Sequence, residues 1–301
     1  MTLAVGRIGV LEHGFYNHPN DAIYLSGRFS QLWSGMLKPI HQLLAPAGEF
    51  CLACGKTVSV RVPGYPELCL PCYSSIPWIG HPRCRICGRH VGCPDCSRNG
   101  GVKRSFVMNR SSVAYSPSMR QWLAQYKYRG HEAYGAVLGR MMGKAMAQMK
   151  SELKTPQFAF DAVTFVPLSE ARWSERGFNQ AEELARGVAL AGGQFGGSFS
   201  LLNLLKRSRH TDKQSFKSRN ERLRNMQGVF QALPDATERL GRVVLQSSPS
   251  KRFHDKTIRL LLVDDVYTTG STMNACAAVL QNMCEELGFT GEIYSLTWAR
   301  S

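Results

Sequence analysis

No stretch of this 301-residue chain approaches the roughly 18 consecutive apolar residues of a membrane-spanning helix. Its first thirty residues lack a basic start followed by an apolar stretch and a small-residue cleavage site, the pattern of a secretory leader. No membrane insertion is expected, and the cytoplasm is the expected address. Acidic residues are scarce: 22 Asp and Glu stand against 37 Lys and Arg, a formal net charge of +15. A deficit of that size favours polyanionic partners, whether phosphorylated small molecules, nucleic acid or an acidic membrane surface. The excess is scattered and not gathered into one tail, so charge alone does not choose among them.

Cysteine is plentiful, and its arrangement argues against disulfides. Eight of the ten cysteines fall into four CxxC pairs: Cys51 and Cys54, Cys69 and Cys72, Cys84 and Cys87, Cys93 and Cys96. One CxxC turn presents two thiolates to one ion, and two such turns complete the tetrahedral set that zinc prefers. One or two structural Zn2+ sites are therefore expected. Cys54 and Cys87 are each followed by glycine, so CxxCG then CxxC occurs twice, with gaps of fourteen and five residues. Sequential pairing gives one site from the first four cysteines and one from the last four, while interleaved pairing stays open. Pro- and Gly-rich loops surround the pairs, so metal binding is expected to supply much of this module's folding free energy.

By the size prior, 301 residues make roughly two domains. Residues 1–46 read as an extension, poorly ordered at least to residue 35, and either Met1 or Met36 is the true start. Residues 47–100 form the double-CxxC module, and SRNGGVKRS, residues 97–105, is a linker. The larger domain follows over 101–301, with an exposed insertion at about 234–256.

Within that domain, Val107 to Tyr115 read as a strand or hairpin. Ser118 to Tyr128 carry apolar residues at helical spacing, and a second helix runs from about Ala133 to Met149. Lys127 and Arg129 end the first helix. Ala159 to Leu168 read as a buried strand ending at Pro167, followed by Arg172 and Arg176 before a helix opening near Asn179. Lys206 to Arg224 hold eight basic residues, the densest positive patch, with a helix starting near Ser215. Cys276 and Cys284, eight apart on the last helix, read as packing residues.

The most informative stretch is LLVDDVYTTGST, Leu261 to Thr272. Leu260 to Val263 form a short, continuously apolar strand, the kind buried on both faces of a parallel sheet in an α/β domain. The acidic pair then lies at the strand's carboxyl end, where open α/β sheets bind ligands, and a helix begins near Ser271 or Thr272. Backbone N–H groups, the helix dipole and the hydroxyls of Thr268, Thr269, Ser271 and Thr272 suit a phosphate there, and Gly270 lets the backbone close in. Beside an anion site, Asp264 and Asp265 call for hydroxyls or a cation, and a ribose 5-phosphate with a metal supplies both.

This string resembles the 5-phosphoribosyl 1-pyrophosphate (PRPP) motif of type I phosphoribosyltransferases. Together with the four CxxC pairs, VPL, RGFNQA and a basic stretch holding Gln214, Arg219 and Asn225, it resembles the ComF/GntX family of amidophosphoribosyltransferase-like proteins, over nearly everything from Cys51 to Arg300. The resemblance implies an α/β fold of the type I phosphoribosyltransferase kind, a mostly parallel sheet flanked by helices, with a small zinc-ribbon-like module before it. It implies PRPP binding with Mg2+ through Asp264, Asp265, Val266, Tyr267, Thr268, Thr269, Gly270, Ser271 and Thr272, with Pro167, Leu168 and Lys127. Asp264, Asp265, Arg172 and Arg176 are the expected catalytic residues. It also implies a role in competence or the handling of imported DNA.

Two functions are expected from these features. One is a phosphoribosyltransferase in which charge preorganised on the leaving pyrophosphate carries most of the catalysis. The other is a non-catalytic competence factor that binds single-stranded DNA, engages a protein of the competence machinery and keeps the PRPP pocket as a ligand or sensor site. Trp122, Tyr126, Tyr128 and Trp173, interleaved with cations, would stack bases.

Overall fold

The computed structural model describes residues 50–97, 104–129, 132–153, 158–192, 199–208, 228–247 and 256–301. The expected N-terminal extension, most of the basic patch with its helix near Ser215, the core of the 97–105 linker and residues 248–255 of the expected insertion lie outside them.

Why the sheet forms is visible in its two central strands. β6 (Thr257–Tyr267) alternates its apolar side chains: Ile258, Leu260 and Leu262 enter one hydrophobic cluster, Leu261 and Val263 another. With no face left for water, the strand needs helices on both sides, the arrangement of a parallel sheet. Its neighbour β7 (Thr290–Arg300) places Tyr294, Leu296 and Trp298 in one cluster and Ile293 in the other. The remaining strands are β1 (Asn109–Ala114), β2 (Ala162–Phe165) and β3 (Ser200–Leu201). All five run parallel in the order β1-β7-β6-β2-β3. A small antiparallel pair, β4 (Leu205–Arg207) and β5 (Phe230–Ala232), lies apart from that sheet.

Helices cover both faces. On one lie α3 (Pro117–Arg129), α4 (Glu132–Leu153) and α6 (Gln180–Gly192), which bury Trp122, Leu138, Met141, Met146 and Leu184. On the other lie α7 (Ala236–Ser247) and α8 (Ser271–Glu286), which bury Leu240, Val244, Cys276, Leu280 and Cys284. The last two cysteines thus pack in the core. α7 departs from the exposed loop expected at 234–256, because Leu240 and Val244, one helical turn apart, give it an apolar face. A further short helix, α5 (Glu170–Arg176), follows β2 and ends at Gly177. Among the described residues, no helix is long and apolar enough to cross a membrane.

The cysteine segment, with α1 (Leu70–Ser74) and α2 (Pro94–Ser97), lies against the edge strand β1. Ile79 N–H donates to Ser112 O (3.0 Å), Ala114 N–H to Pro77 O (2.9 Å) and Asn109 N–H to Ile86 O (2.7 Å). Those bonds occupy the side of β1 that faces away from β7. The segment reaches both faces: Cys51, Val62, Tyr65 and Leu68 join the α3/α4 cluster, and Cys87 and Cys93 join the α8 cluster. Residues 50–301 are one compact unit.

Candidate functional site

β6 carries Asp264 and Asp265 to the carboxyl end of the sheet, and its pairing runs on through them: Asp264 lies opposite Thr297 and Tyr267 opposite Arg300. On the other side β2 pairs up to Phe165, and Val166 N–H donates to Val263 O at 3.0 Å. Pro167 and Leu168 therefore leave the sheet beside the acidic pair.

The two carboxylates behave differently. Lys127 on α3 makes an ion pair with Asp265. Burial alone would raise the Asp265 pKa, but the ammonium charge and its hydrogen bond outweigh that and hold it below the usual carboxylate range. Asp264 is pushed well above that range, by burial first and then by the negative charge of Asp265. Its Oδ1 accepts the Asp265 backbone N–H at 2.8 Å. Two neighbouring carboxyls are thus driven in opposite directions, Asp265 toward its charged form by Lys127 and Asp264 toward its neutral form by burial.

The turn that follows is built for close approach. Gly270 is the N-cap of α8 with φ +82°, and it offers no side-chain cap to the first amides of that helix. A Cβ there would overlap the Tyr267 hydroxyl, so only glycine fits. Thr269 and Ser271 hydroxyls lie 3.1 Å apart. Uncapped N–H groups, hydroxyls and the positive end of a sixteen-residue helix lie together at this turn, an arrangement chemically suited to an anion.

The expected arginines divide. Arg176 Nη1 donates to Gln180 Oε1 (2.9 Å), while Asn179 accepts from Ala181 N–H (3.0 Å) and donates to Val166 O (3.2 Å). Much of RGFNQA is thus spent on capping α6 and tying it to β2. Arg172 lies within electrostatic reach of Arg207, a β4 residue whose pKa is lowered by burial and then by Arg172, against the opposing pull of Cys276 and Asp264. It stays protonated, since arginine does not lose its proton in proteins. Arg207 is thus a cation near the acidic pair that sequence reasoning absorbed into a general basic patch. Arg300 was missed altogether: its buried guanidinium donates to Thr268 O (3.0 Å) and Tyr267 O (3.3 Å), at the start of the turn.

The cysteines form two tetrads in sequential pairing, Cys51, Cys54, Cys69 and Cys72, then Cys84, Cys87, Cys93 and Cys96. Within each, the sulfurs lie within 4.8 Å of one another. A tetrahedral zinc–thiolate centre needs sulfurs about 3.8 Å apart. Cys54 and Cys69 stand at 3.8 Å, and Cys87 and Cys93 at 3.4 Å. Both tetrads could therefore hold a metal such as zinc. Their knuckles repeat: Gly55 N–H donates to Cys51 O as Gly88 N–H does to Cys84 O, and Cys51 N–H to Lys56 O as Cys84 N–H does to Arg89 O. The Cys51 thiol falls to about 6: burial raises it, but N–H groups of Cys69, Cys54 and Ala53 overcome that. The Cys87 thiol falls to about 7, burial again being outweighed, here by the hydrogen bond and charge of Arg300.

No family model matches the chain. It is 28% identical over 245 residues to the competence protein ComFC of Streptococcus pneumoniae, covering 77% of this chain and 93% of the relative. It is 26% identical over 242 residues to ComFC of Bacillus subtilis, covering 78% and 85%. Competence protein F of Haemophilus influenzae is 24% identical over 235 residues, covering 77% and 91%. Relatives from three bacteria, each matched along most of its length, bear the names of competence proteins of the ComF kind, and it is to these that the chain is similar.

Proposed function

We propose that this chain binds PRPP with Mg2+ at the turn from Asp264 to Thr272 and transfers its phosphoribosyl group to a nitrogen acceptor, in the service of competence and imported DNA. The observation that carries this reading is the succession of two adjacent carboxyls, the second ion-paired to Lys127, and an uncapped helix N-terminus at the carboxyl end of β6. Few ligands other than a ribose phosphate need hydroxyl acceptors, a cation and an anion cradle within so short a stretch.

Asp265, ionised against Lys127, accepts hydrogen bonds from ribose hydroxyls. Thr268 to Thr272 hold the 5′-phosphate through N–H groups and hydroxyls. Asp264, with the ligand's own oxygens, is the residue to hold Mg2+, and its raised pKa fits a carboxyl awaiting a second positive charge. When bound, the ion neutralises charge on the pyrophosphate. Arg172 and Arg207 supply further positive charge there. In the reaction the C1–O bond breaks, pyrophosphate leaves with its electron pair, the acceptor nitrogen forms the new bond to C1, and its proton passes to solvent or phosphate. Positioning and charge do most of this work.

A second reading, a non-catalytic factor for single-stranded DNA, is favoured by Trp173. This residue is 50% exposed on α5, next to Arg172 and three residues before Arg176, as a base-stacking surface would be. The names of the relatives, competence proteins, fit either reading.

The test is calorimetric titration with PRPP and Mg2+, comparing wild type with a double Asp264→Ala, Asp265→Ala substitution. Binding is expected in wild type and lost in the variant; equal binding in both removes the central claim. Pyrophosphate release with an amine or nucleobase supports the enzyme. Steep salt-dependent binding of single-stranded DNA that falls on Trp173→Ala, without such release, supports the second reading.

A further inference from the structure

Arg300 touches two parts of the molecule that have no other stated reason to communicate. It ends β7, opposite Tyr267 in the register of the sheet, and only 2% of it is exposed. One arm of its guanidinium, Nη1, donates to the carbonyls of Tyr267, Thr268 and Ser301. The other, Nη2, points at Cys87 Sγ at 3.5 Å. The plane also lies over the Tyr267 ring, 4.6 Å from its centre. That ring fills the space next to Gly270. Cys87, Arg300, Tyr267 and Gly270 are thus successive contacts from the second tetrad to the N-cap of α8.

We propose that Arg300 is a positioning residue that transmits the state of the second cysteine tetrad to the 267–270 turn, so that metal at Cys84, Cys87, Cys93 and Cys96 fixes the shape of the phosphate cradle. This rests on the reading of that turn as a phosphate site. The cluster suits such a partner: four thiolates around one divalent ion carry net negative charge, which a buried guanidinium requires. Its planar fork sends one nitrogen to the sulfur and the other to the carbonyls, a spread that the single nitrogen of a lysine does not span. Without an ion, only weak thiol contacts such as that between Cys87 and Cys93 draw the sulfurs together, and Arg300 has a less firmly fixed acceptor. The knuckle is seated firmly enough to transmit this. Gly88 lies so close to Asn109 O that a Cβ would stand 2.6 Å from it, Asn109 Nδ2 donates to Cys87 O, and Arg110 Nη1 donates to Arg85 O.

The first tetrad supplies an internal control. Its surroundings are tied to α4, through Tyr134 Oη donating to Leu52 O and the Arg140 to Glu67 ion pair, and its cysteines join the opposite hydrophobic cluster. Metal there should leave the turn alone.

Amide hydrogen exchange of residues 267–272 in the full, zinc-loaded chain tests this without any ligand. Cys93→Ser with Cys96→Ser is expected to speed exchange about tenfold, a coupling within the usual range, whereas Cys54→Ser with Cys72→Ser leaves it unchanged. Arg300→Lys should speed it likewise while both zinc ions remain bound, and adding the second-tetrad changes to it should do nothing more. Equal responses to the two tetrads, or unchanged exchange in zinc-replete Arg300→Lys, overturn the proposal. If the tetrad variants fail to fold, Arg300→Lys and Arg300→Gln against wild type decide it alone. Titration with PRPP and Mg2+ completes the set, with about tenfold weaker binding expected for Arg300→Lys. If wild type binds no PRPP, the function proposed above fails while the exchange result still decides the coupling. If PRPP binds but exchange is indifferent to Arg300, only the coupling fails.

Discussion

Lys127 closes an ion pair on Asp265 and leaves Asp264, its chain neighbour, as the acid with the raised pKa. One lysine on α3 thereby divides the labour of two otherwise similar carboxyls.

The first consequence concerns Asp264. An acid whose pKa rises on folding favours the fold at low pH, and that advantage is lost as pH climbs from the ordinary carboxylate value to the raised one. Above that window the ionised Asp264 strains the structure. Asp264→Asn is therefore expected to stabilise the protein by roughly 1 kcal/mol at neutral pH while abolishing Mg2+-dependent PRPP binding. Denaturant melts from acid to neutral pH, paired with calorimetry, check both; a destabilised variant contradicts the account.

Asp265 has the opposite sign. Its depressed pKa contributes stability above the unfolded carboxylate value, lost as pH falls through the folded one. Lys127→Met should cost about 2 kcal/mol, less than for a fully buried pair because the lysine side chain keeps 18% of its exposure. It should also flatten the acid limb of stability against pH. Adding Asp265→Asn to that variant should recover most of the loss, since neither partner is then left charged and alone. A double variant no better than the single one would show that Lys127 matters through packing.

Gly270→Ala combines a φ of +82° with a collision at the Tyr267 ring. A loss of about 1–3 kcal/mol is expected, with PRPP binding weakened more than tenfold. Gly177→Ala makes a fair comparison, with φ +74° but open space around it. It should cost only about 1 kcal/mol and spare the ligand. Equal effects on binding would mean that backbone conformation alone matters, and not the approach to Tyr267.

The tetrads predict two zinc ions per chain by native mass spectrometry. Cys54→Ser with Cys72→Ser should remove one, and Cys93→Ser with Cys96→Ser the other. Loss of both ions from either variant would indicate interleaved pairing instead.

What could be read beforehand follows from how local each cause is. The strand, turn and helix around Leu261 to Thr272 were legible because an apolar run, two acids and a glycine at positive φ each act on their own neighbours. β6 nonetheless runs on to Tyr267, past its apolar run, because β7 continues to pair with it. α5 escaped notice because it buries none of its residues and so shows no apolar period. α7 was hidden by the polar residues after it, although Leu240 and Val244 carried the signal. Arg300 carries no motif. Its role comes from ending a strand beside Tyr267 and against Cys87, a relation 213 positions long that no spacing rule reports.

The bonds from residues 77–79 and Ile86 to β1 have a consequence for how this protein would fail. β1 is an outermost strand, and these bonds use up the N–H and C=O groups it would otherwise offer to another chain. The segment that supplies them is shaped by its cysteines. Loss of metal from tetrads that hold it, or oxidation of their thiols, would therefore uncover an adhesive sheet border along with loosening a knuckle, and would open a route to intermolecular strand addition.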